Sequence, residues 1–373
     1  MDSSQLNRRA LLGLGTRGAA VSLGAAALAT PLLLSQQTAA KNEHDHDSTP
    51  QAGEHTEGHG PSMTVGEVDL ERLGWNPDEL LVDFDYGTVT ETRADGTAVR
   101  EWEITAFDRE IEIAPGVFFP AWTYNGRVPG PTLRANEGDL LRVHFTNAGS
   151  HPHTMHFHGI HSAFHDGVTG IGRGEIAIGD QHTYEFTAKP FGLHLYHCHA
   201  SPLKRHIHKG LYGMFIVNPD PRKRGDLAKV RHPDYEESKE WQEFVMVMNA
   251  FDTTFDAANE VYAINSIAFQ HMKHPIVIDK MRPIRVYLLN IIEFDLINSF
   301  HLHANFFNYF DSGTTLEPTL RTVDIISQVQ AQRGILEFSF AEHEAGLYMF
   351  HAHVTEFTEL GWMAAFDVRD SVV

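Results

Sequence analysis

Two segments decide the fold: Gly192-Leu193-His194-Leu195-Tyr196-His197-Cys198-His199 and, near the end of the chain, its repeat Gly346-Leu347-Tyr348-Met349-Phe350-His351-Ala352-His353. A second pair of segments repeats in the same order, Met155-His156-Phe157-His158-Gly159 and Phe300-His301-Leu302-His303-Ala304. Each half of the chain therefore carries two His-x-His pairs. Chance explains four such pairs poorly, even among 25 histidines, so we infer an internal duplication.

The spacing of these residues predicts which of them face the same way. Side chains alternate between the two faces of a strand, so His197 and His199 share one face and Cys198 takes the other. His153 lies three residues before His156, again an odd offset, and is expected to face away from that pair. Four His-x-His pairs supply eight imidazoles, enough for a cluster of three metal ions, while His153 and Cys198 point to a separate site.

Strand patterns continue from about residue 80 to the end of the chain. Short apolar stretches alternate with turn residues, and no long helical periodicity competes with them. Residues 218–240 differ, because Asn218-Pro219-Asp220-Pro221 opens a polar connection. We therefore predict an all-β protein with two β-sandwich domains, at 78–220 and 241–370.

Composition limits the possible partners. The chain of 373 residues has 29 Lys and Arg against 49 Asp and Glu, a formal net charge of −20. Such a charge argues against nucleic acid or an anionic membrane surface as a partner. The single cysteine rules out an internal disulfide framework.

The sequence pattern of residues 1–62 indicates an export signal and a leader rather than a folded domain. Arg8 and Arg9 precede a stretch rich in Gly, Ala and Leu that runs to about Leu34, which is typical of a twin-arginine signal peptide, here residues 1–40. Residues 41–62 are polar and histidine-rich, and we predict a disordered leader. The mature protein is then expected in the periplasm or outside the cell, without a membrane span.

A His₂Cys donor set is the ligand chemistry of blue copper sites, and His153, Cys198 and His206 supply it. Leu211 stands five residues after His206, where a weak axial methionine could be expected, and Met214 is the alternative axial candidate. The second half has Asn298 and Ala352 where the first has His153 and Cys198. Only the first half is therefore expected to carry this site.

Over about residues 100–370 these motifs resemble those of the multicopper oxidases, in layout the two-domain kind with the type 1 copper in the first domain. The resemblance implies two cupredoxin-like Greek-key sandwiches and four coppers per chain. It assigns the type 1 copper to His153, Cys198 and His206, and the type 2 copper to His156 and His301. The type 3 pair would be bound by His158, His197, His199, His303, His351 and His353.

The same resemblance implies a laccase-like activity. Single electrons from a small-molecule donor, a phenol or a similar compound, would enter at the type 1 copper and pass through Cys198 to the cluster, where four of them reduce O2 to water. It also implies a homotrimer with the three-copper cluster between subunits. Proton delivery requires an acid near the cluster, and Asp166 and Glu356 are the candidates.

Three alternatives remain open at this stage. Copper-containing nitrite reductases resemble this layout, but they have an aspartate in the place of His156 and no ligand in the place of His199, so oxidase is favoured. A metal-ion oxidase is not excluded, because the loops that form the donor pocket are not placed by sequence. A copper carrier or storage protein is disfavoured, because ten scattered methionines and one cysteine offer few soft ligands.

Overall fold

The computed structural model describes residues 63–295 and 297–372, so the predicted signal peptide 1–40 and leader 41–62 lie outside the described residues. Within that range, 21 strands form four sheets, two in each half of the chain. The prediction of an all-β protein built from two β-sandwiches is confirmed. No helix among the described residues is long and apolar enough to span a bilayer.

The first half contains two sheets with the strand orders β1-β5-β10-β9-β7 and β2-β3-β6-β8, with β4 paired to β3. Their bounds are β1 Phe84–Asp85, β2 Thr88–Thr92, β3 Ala98–Ala114, β4 Val117–Tyr124, β5 Thr132–Asn136, β6 Leu140–Asn147, β7 His156–Phe157, β8 Gln181–Thr187, β9 Gly192–His197 and β10 Tyr212–Asn218. Strand β6 buries every second residue, as expected for one face on a core, whereas all six residues of β9 are buried.

The second half contains sheets with the orders β12-β11-β14-β19-β16-β17 and β13-β21-β20-β15-β18. Their bounds are β11 Gln242–Phe251, β12 Val261–Ile264, β13 Ile276–Asp279, β14 Ile284–Asn290, β15 Ile297–Leu302, β16 Phe307–Asp311, β17 Leu320–Val323, β18 Ile325–Val329, β19 Arg333–Phe338, β20 Gly346–His351 and β21 Met363–Arg369. In both halves a His-x-His segment on one strand pairs with the other: His156 lies opposite His197, and His301 opposite His351.

Helices are short and lie in the connections. Their bounds are α1 Leu70–Leu73, α2 Leu203–His208, α3 Pro221–Arg224, α4 Glu236–Lys239, α5 Gln270–Lys273 and α6 Thr355–Glu359, with 3-10 turns at Glu79–Leu81, Ala163–His165 and Asp226–Arg231. The predicted connection 218–240 holds α3, α4 and the last of these turns. Helix α2 matters most for function, because it carries His206.

A shared apolar core and a buried ionic network join the two halves. Phe119 and Met214 of the first half belong to the same core cluster as Phe251 and Tyr287 of the second. Nearby, Arg134 Nη1 lies 2.7 Å from Glu243 Oε2, and Arg285 bridges Glu243 at 2.9 Å and Glu337 at 2.8 Å. Both guanidinium groups are almost fully buried, so each depends on these carboxylates for its partner.

Substituting Glu243 by glutamine is expected to lower the free energy of unfolding at pH 7 by about 3 kcal/mol, because a buried cation would lose its counter-charge. Burial alone would raise the pKa of Glu243, but Arg134 and Arg285 outweigh it and hold the pKa at about 2. A depressed pKa contributes stability above the unfolded-state value of about 4.3 and loses it as pH falls toward 2. The deficit of Glu243→Gln, measured by urea unfolding, should therefore shrink across that acidic range.

The matched control is Glu317→Gln, which removes a carboxylate from an exposed pair with Arg321. Exposed pairs contribute little, so its unfolding free energy should change by less than about 0.5 kcal/mol. Equal effects of the two substitutions would contradict the role assigned to the buried network.

Candidate metal centres

The first donor set, the cysteine site, consists of His153, Cys198 and His206. Cys198 directly follows β9, His206 comes from α2, and all three side chains are buried. The Sγ atom of Cys198 lies 3.2 Å from Nδ1 of His206 and 4.0 Å from Nδ1 of His153, and the two Nδ1 atoms are 3.2 Å apart. Two nitrogens and one sulfur therefore converge on one point.

Protonation in the cysteine site fits a bound metal ion. Burial, followed by nearby histidines, lowers the pKa of His153 to about 3 and of His206 to about 4, so both rings are neutral and keep a lone pair. Burial raises the pKa of the Cys198 thiol to about 11. A thiolate there needs a cation, and the His₂Cys chemistry is that of copper. The Thr154 N–H donates to Sγ at 3.3 Å.

The two axial candidates lie in different surroundings. Leu211 is fully buried in the same core cluster as Cys198, and its carbonyl oxygen accepts the Cys198 N–H at 2.9 Å. Met214 lies in β10 opposite Leu195 and packs in the core between the halves instead. The Leu211 side chain, and not the thioether of Met214, thus belongs to the core cluster that contains the thiol.

The first histidine set consists of His156, His158, His197 and His199. Nε2 of His158 lies 3.2 Å from Nε2 of His197, and the rings of His197 and His199 stack with centroids 5.7 Å apart. Nδ1 of His156 donates to the carbonyl oxygen of Asp166 at 2.7 Å, which leaves Nε2 for a ligand. Burial, then neighbouring histidines, lowers the pKa of His158 to about 3, so its ring is neutral.

The second histidine set, His301, His303, His351 and His353, repeats this geometry. Nε2 of His303 lies 2.9 Å from Nε2 of His351, and the rings of His351 and His353 are 5.8 Å apart. Nδ1 of His301 donates to the carbonyl oxygen of Asp324 at 2.9 Å.

A supporting hydrogen bond also recurs in both halves. The His199 N–H donates to Oγ1 of Thr154 at 2.9 Å, and the His353 N–H donates to Oγ of Ser299 at 2.8 Å. Each hydroxyl residue precedes the first histidine of its pair by two positions. The duplication seen in the sequence therefore extends to the groups that orient the rings.

Within one chain the two histidine sets do not meet. Among residues 63–295 and 297–372, no ring contact or hydrogen bond joins a histidine of one set to a histidine of the other. His156 and His158 line an open cavity of about 440 Å³. His303 and His353 are exposed. Each set therefore has histidines that are accessible at the surface of the chain.

The acidic candidates differ in their contacts. Oδ1 of Asp166 lies 3.2 Å from Nδ1 of His156 and 3.7 Å from Nε2 of His161. Glu356 lies exposed in α6, and no hydrogen bond from its carboxylate to a histidine is found in the described part of the chain. Sequence reasoning missed Asp324, whose Oδ2 lies 3.7 Å from Nδ1 of His301. It follows His301 by 23 residues, with no local pattern to mark it.

The second half has no counterpart of the cysteine site. Asn298 and Ala352 are fully buried there, and the Ala352 N–H donates to the carbonyl oxygen of Trp362. The Trp362 ring is also fully buried and packs against Phe300 and Phe350, with centroids 5.9 and 6.2 Å apart. The backbone bond from Ala352 to Trp362 repeats the one from Cys198 to Leu211, so Trp362 stands in the second half where Leu211 stands in the first.

Comparison with known proteins gives the class to which this site and fold belong. Two family models, both described as multicopper oxidase, match residues 108–222 and 239–372. The chain therefore belongs to the multicopper oxidases, and the predicted cupredoxin-like fold class is confirmed. Membership of this family implies that the protein binds copper. The domain boundaries 78–220 and 241–370 stay predictions.

Two solved structures resemble this chain over most of its length. A solved multicopper oxidase is 52% identical, with a TM-score of 0.74, and the match covers 81% of this chain and all of that one. The blue copper oxidase of Nitrosomonas europaea is 25% identical over 72% of this chain and 85% of its own, with a TM-score of 0.62.

Curated relatives match over shorter stretches. The copper-containing nitrite reductase of Neisseria meningitidis is 36% identical over 30% of this chain, and laccase-2 of Botryotinia fuckeliana is 43% identical over 26%. These matches cover 28% and 17% of the two relatives, so the chain aligns with less than a third of either.

Proposed function

We propose that the protein is a laccase-like oxidase that couples oxidation of phenols or similar donors to the reduction of O2 to water. The observation that carries this proposal is the meeting of two donor sets at His197-Cys198-His199, where a buried thiol and two imidazoles face opposite ways. Copper bound at these donors would supply one-electron transfer at the cysteine site and dioxygen reduction at the histidine sets. Four phenols would each give up one electron and one proton, and one O2 would become two waters.

The chain itself connects the two kinds of site. Cys198 and His197 are adjacent, and Nδ1 of His197 donates to the carbonyl oxygen of Cys198 at 2.9 Å. A covalent path and a hydrogen bond therefore join the sulfur to the first histidine set. We assign four coppers per chain: His153, Cys198 and His206 hold one, and the eight paired histidines hold three.

In this proposal a second copy of the chain completes the histidine shell. Each set supplies four imidazoles, and the two sets are apart in one chain, so we propose a homotrimer in which the first set of one subunit faces the second set of its neighbour. Large apolar side chains are exposed near both histidine sets. Ile160 and Phe164 follow His158 in the sequence, Phe306 follows His303, and Leu347 precedes His351. We also propose export by the twin-arginine route, on the basis of residues 1–40.

Copper content and O2 uptake with a phenol test the function together. Four coppers per chain with uptake are expected. Nitrite reductase is the second candidate, because a copper-containing nitrite reductase is among the relatives. Two coppers per chain, nitrite reduction and no O2 uptake would establish it. The presence of His156 and His199, positions where that class lacks these ligands, supports the oxidase instead.

Asp166→Asn is expected to lower kcat about 10- to 100-fold while the copper content stays unchanged. The carboxylate lies against both His156 and His161, so its loss removes a proton carrier and a partner that orients a ring. Steady-state O2 uptake measures the effect. Glu356→Gln, an exposed acid without a histidine contact, is the matched control and should change kcat less than about twofold. Comparable losses in both variants would refute the assignment of Asp166.

A further inference from the structure

Two cations lie beside the cysteine site, and a third, Lys204, belongs to the same helix as His206. Trp122 packs against both histidines of the site, with ring centroids 5.2 Å from His153 and 4.8 Å from His206. Arg205 lies over the Trp122 ring at 5.1 Å, and Lys209 lies over it at 5.9 Å. His206 is only 1% exposed and Trp122 only 4%, so a donor would not contact the His206 ring directly.

None of these cations is neutralised by an ion pair. Within the described residues, no carboxylate oxygen lies within 4.0 Å of Lys204, Arg205 or Lys209. Their charged groups rest on aromatic rings: Lys204 on Phe294 at 4.2 Å, and Lys209 on Phe255 at 4.9 Å. In a chain of net charge −20, the exposed Lys204 and Arg205 of one six-residue helix and the largely buried Lys209 just past its end form a local positive patch.

The two phenylalanines are held in unusual backbone conformations. Phe255 has φ of 61° and Phe294 has φ of 72°, a left-handed region that bulky residues rarely adopt. Both come from the second half and reach across to α2, where each ring contacts His208, at 6.2 and 5.0 Å. Phe255 is 55% exposed, so core burial does not explain it. Strain of this kind, about 1 to 3 kcal/mol for each residue, collects at ligand sites.

The loop that carries Phe255 also contains carboxylates, and these accept hydrogen bonds from other residues of the loop. Asp252 accepts the N–H groups of Asp256 and Ala257, and Glu260 accepts from Thr253 and Thr254. These bonds engage part of each carboxylate, and oxygens of Asp252, Asp256 and Glu260 also lie within 4.8 Å of one another. The positive groups, by contrast, are left without anionic partners.

We propose that Lys204, Arg205, Lys209, Phe255 and Phe294 form the docking platform for the electron donor, and that this donor platform selects aromatic anions over neutral phenols and metal cations. The rings offer a surface for stacking, and the unpaired cations attract negative charge. This inference rests on the proposed oxidase function and specifies its substrate class.

The test compares sinapate with its methyl ester, two phenols that share one ring and differ by a single negative charge. With the copper-loaded enzyme at pH 6 and about 20 mM ionic strength, kcat/KM is expected to be about fivefold higher for sinapate. The advantage should fall toward one at about 0.5 M salt, because screening shortens the reach of the patch. Fe(II) and Mn(II) should be poorer donors than either phenol.

Substitutions test whether the preference for sinapate over its ester depends on the donor platform. Arg205→Gln combined with Lys209→Met should reduce the sinapate-to-ester ratio to about two or less. Arg93→Gln removes a cation of the β2–β3 turn and should leave the ratio unchanged. Phe255→Gly should raise KM for both donors without lowering Tm, because glycine adopts the positive φ freely and little burial is lost.

Either of two results with the unaltered enzyme would overturn the donor platform while leaving the oxidase intact: O2 uptake with equal kcat/KM for sinapate and ester at low salt, or a higher kcat/KM for Fe(II) or Mn(II). A ratio that persists in the Arg205 and Lys209 variant would also refute it. No O2 uptake with any donor would instead refute the proposed function, and the platform with it.

Discussion

Cys198→Ser is expected to remove the blue colour of the copper-loaded protein and to reduce O2 uptake roughly a thousandfold. A serine hydroxyl is almost the size of the thiol but does not ionise near neutral pH, so it cannot supply the sulfur ligand that gives intense visible absorption. The same substitution removes the sulfur end of the path to His197. Visible absorption and steady-state O2 uptake measure the two losses.

The fold should survive this change. The Thr154 N–H, which donates to Sγ at 3.3 Å, would donate to the new hydroxyl, so the unfolding free energy of the copper-free protein should change by only about 1 kcal/mol. Copper content should fall by one ion per chain. Ala352→Ser, at the equivalent position of the second half, is the matched control and should keep the colour. Full O2 uptake by a colourless Cys198→Ser protein would contradict the proposed electron route.

His158→Ala and His303→Ala should each abolish O2 uptake alone and restore it together when the two variants are co-expressed. His158 belongs to the first histidine set and His303 to the second, so each variant chain retains one intact set. In a ring where each cluster joins two neighbours, an intact first set meets an intact second set by random assembly in about a quarter of the sites. Uptake near a quarter of the wild-type rate is therefore expected.

The control is a single chain carrying both substitutions, co-expressed with either variant, which should recover no activity because no intact pair of sets can form. The co-expression result distinguishes a cluster formed between two chains from a cluster formed within one chain. Zero recovery from His158→Ala with His303→Ala, at normal copper loading of the cysteine site, would mean that each cluster is built from one chain.

The repeated histidine pairs made most of the fold and ligand set predictable. A strand places alternate residues on opposite faces, so His197 and Cys198 could be assigned to different sites by parity alone. The structure brings His153, Cys198 and His206 together as expected, and it collects the eight other histidines into two sets. The predicted β-sandwich fold followed from the same short-range pattern.

Contacts between distant segments could not be predicted. Asp324 reaches His301 through the pairing of β18 with β15, for which a single sequence gives no register, and Phe255 reaches α2 through the packing of one half on the other. The choice between Leu211 and Met214 also depended on where β10 begins. That boundary was set by the packing of β10 on β9, which no local propensity specifies.

The buried indole of Trp362 in the second half has an evolutionary consequence. If the duplicated ancestor had a thiol in both halves, its loss at position 352 became hard to reverse once the Trp362 ring was packed on Phe300 and Phe350 in the core that contains Ala352. A single change back to cysteine would now crowd a closely packed aromatic core, and a histidine at position 298 would also be required. Descendants of this lineage would thus keep a single cysteine-containing donor set per subunit, in the first half of the chain.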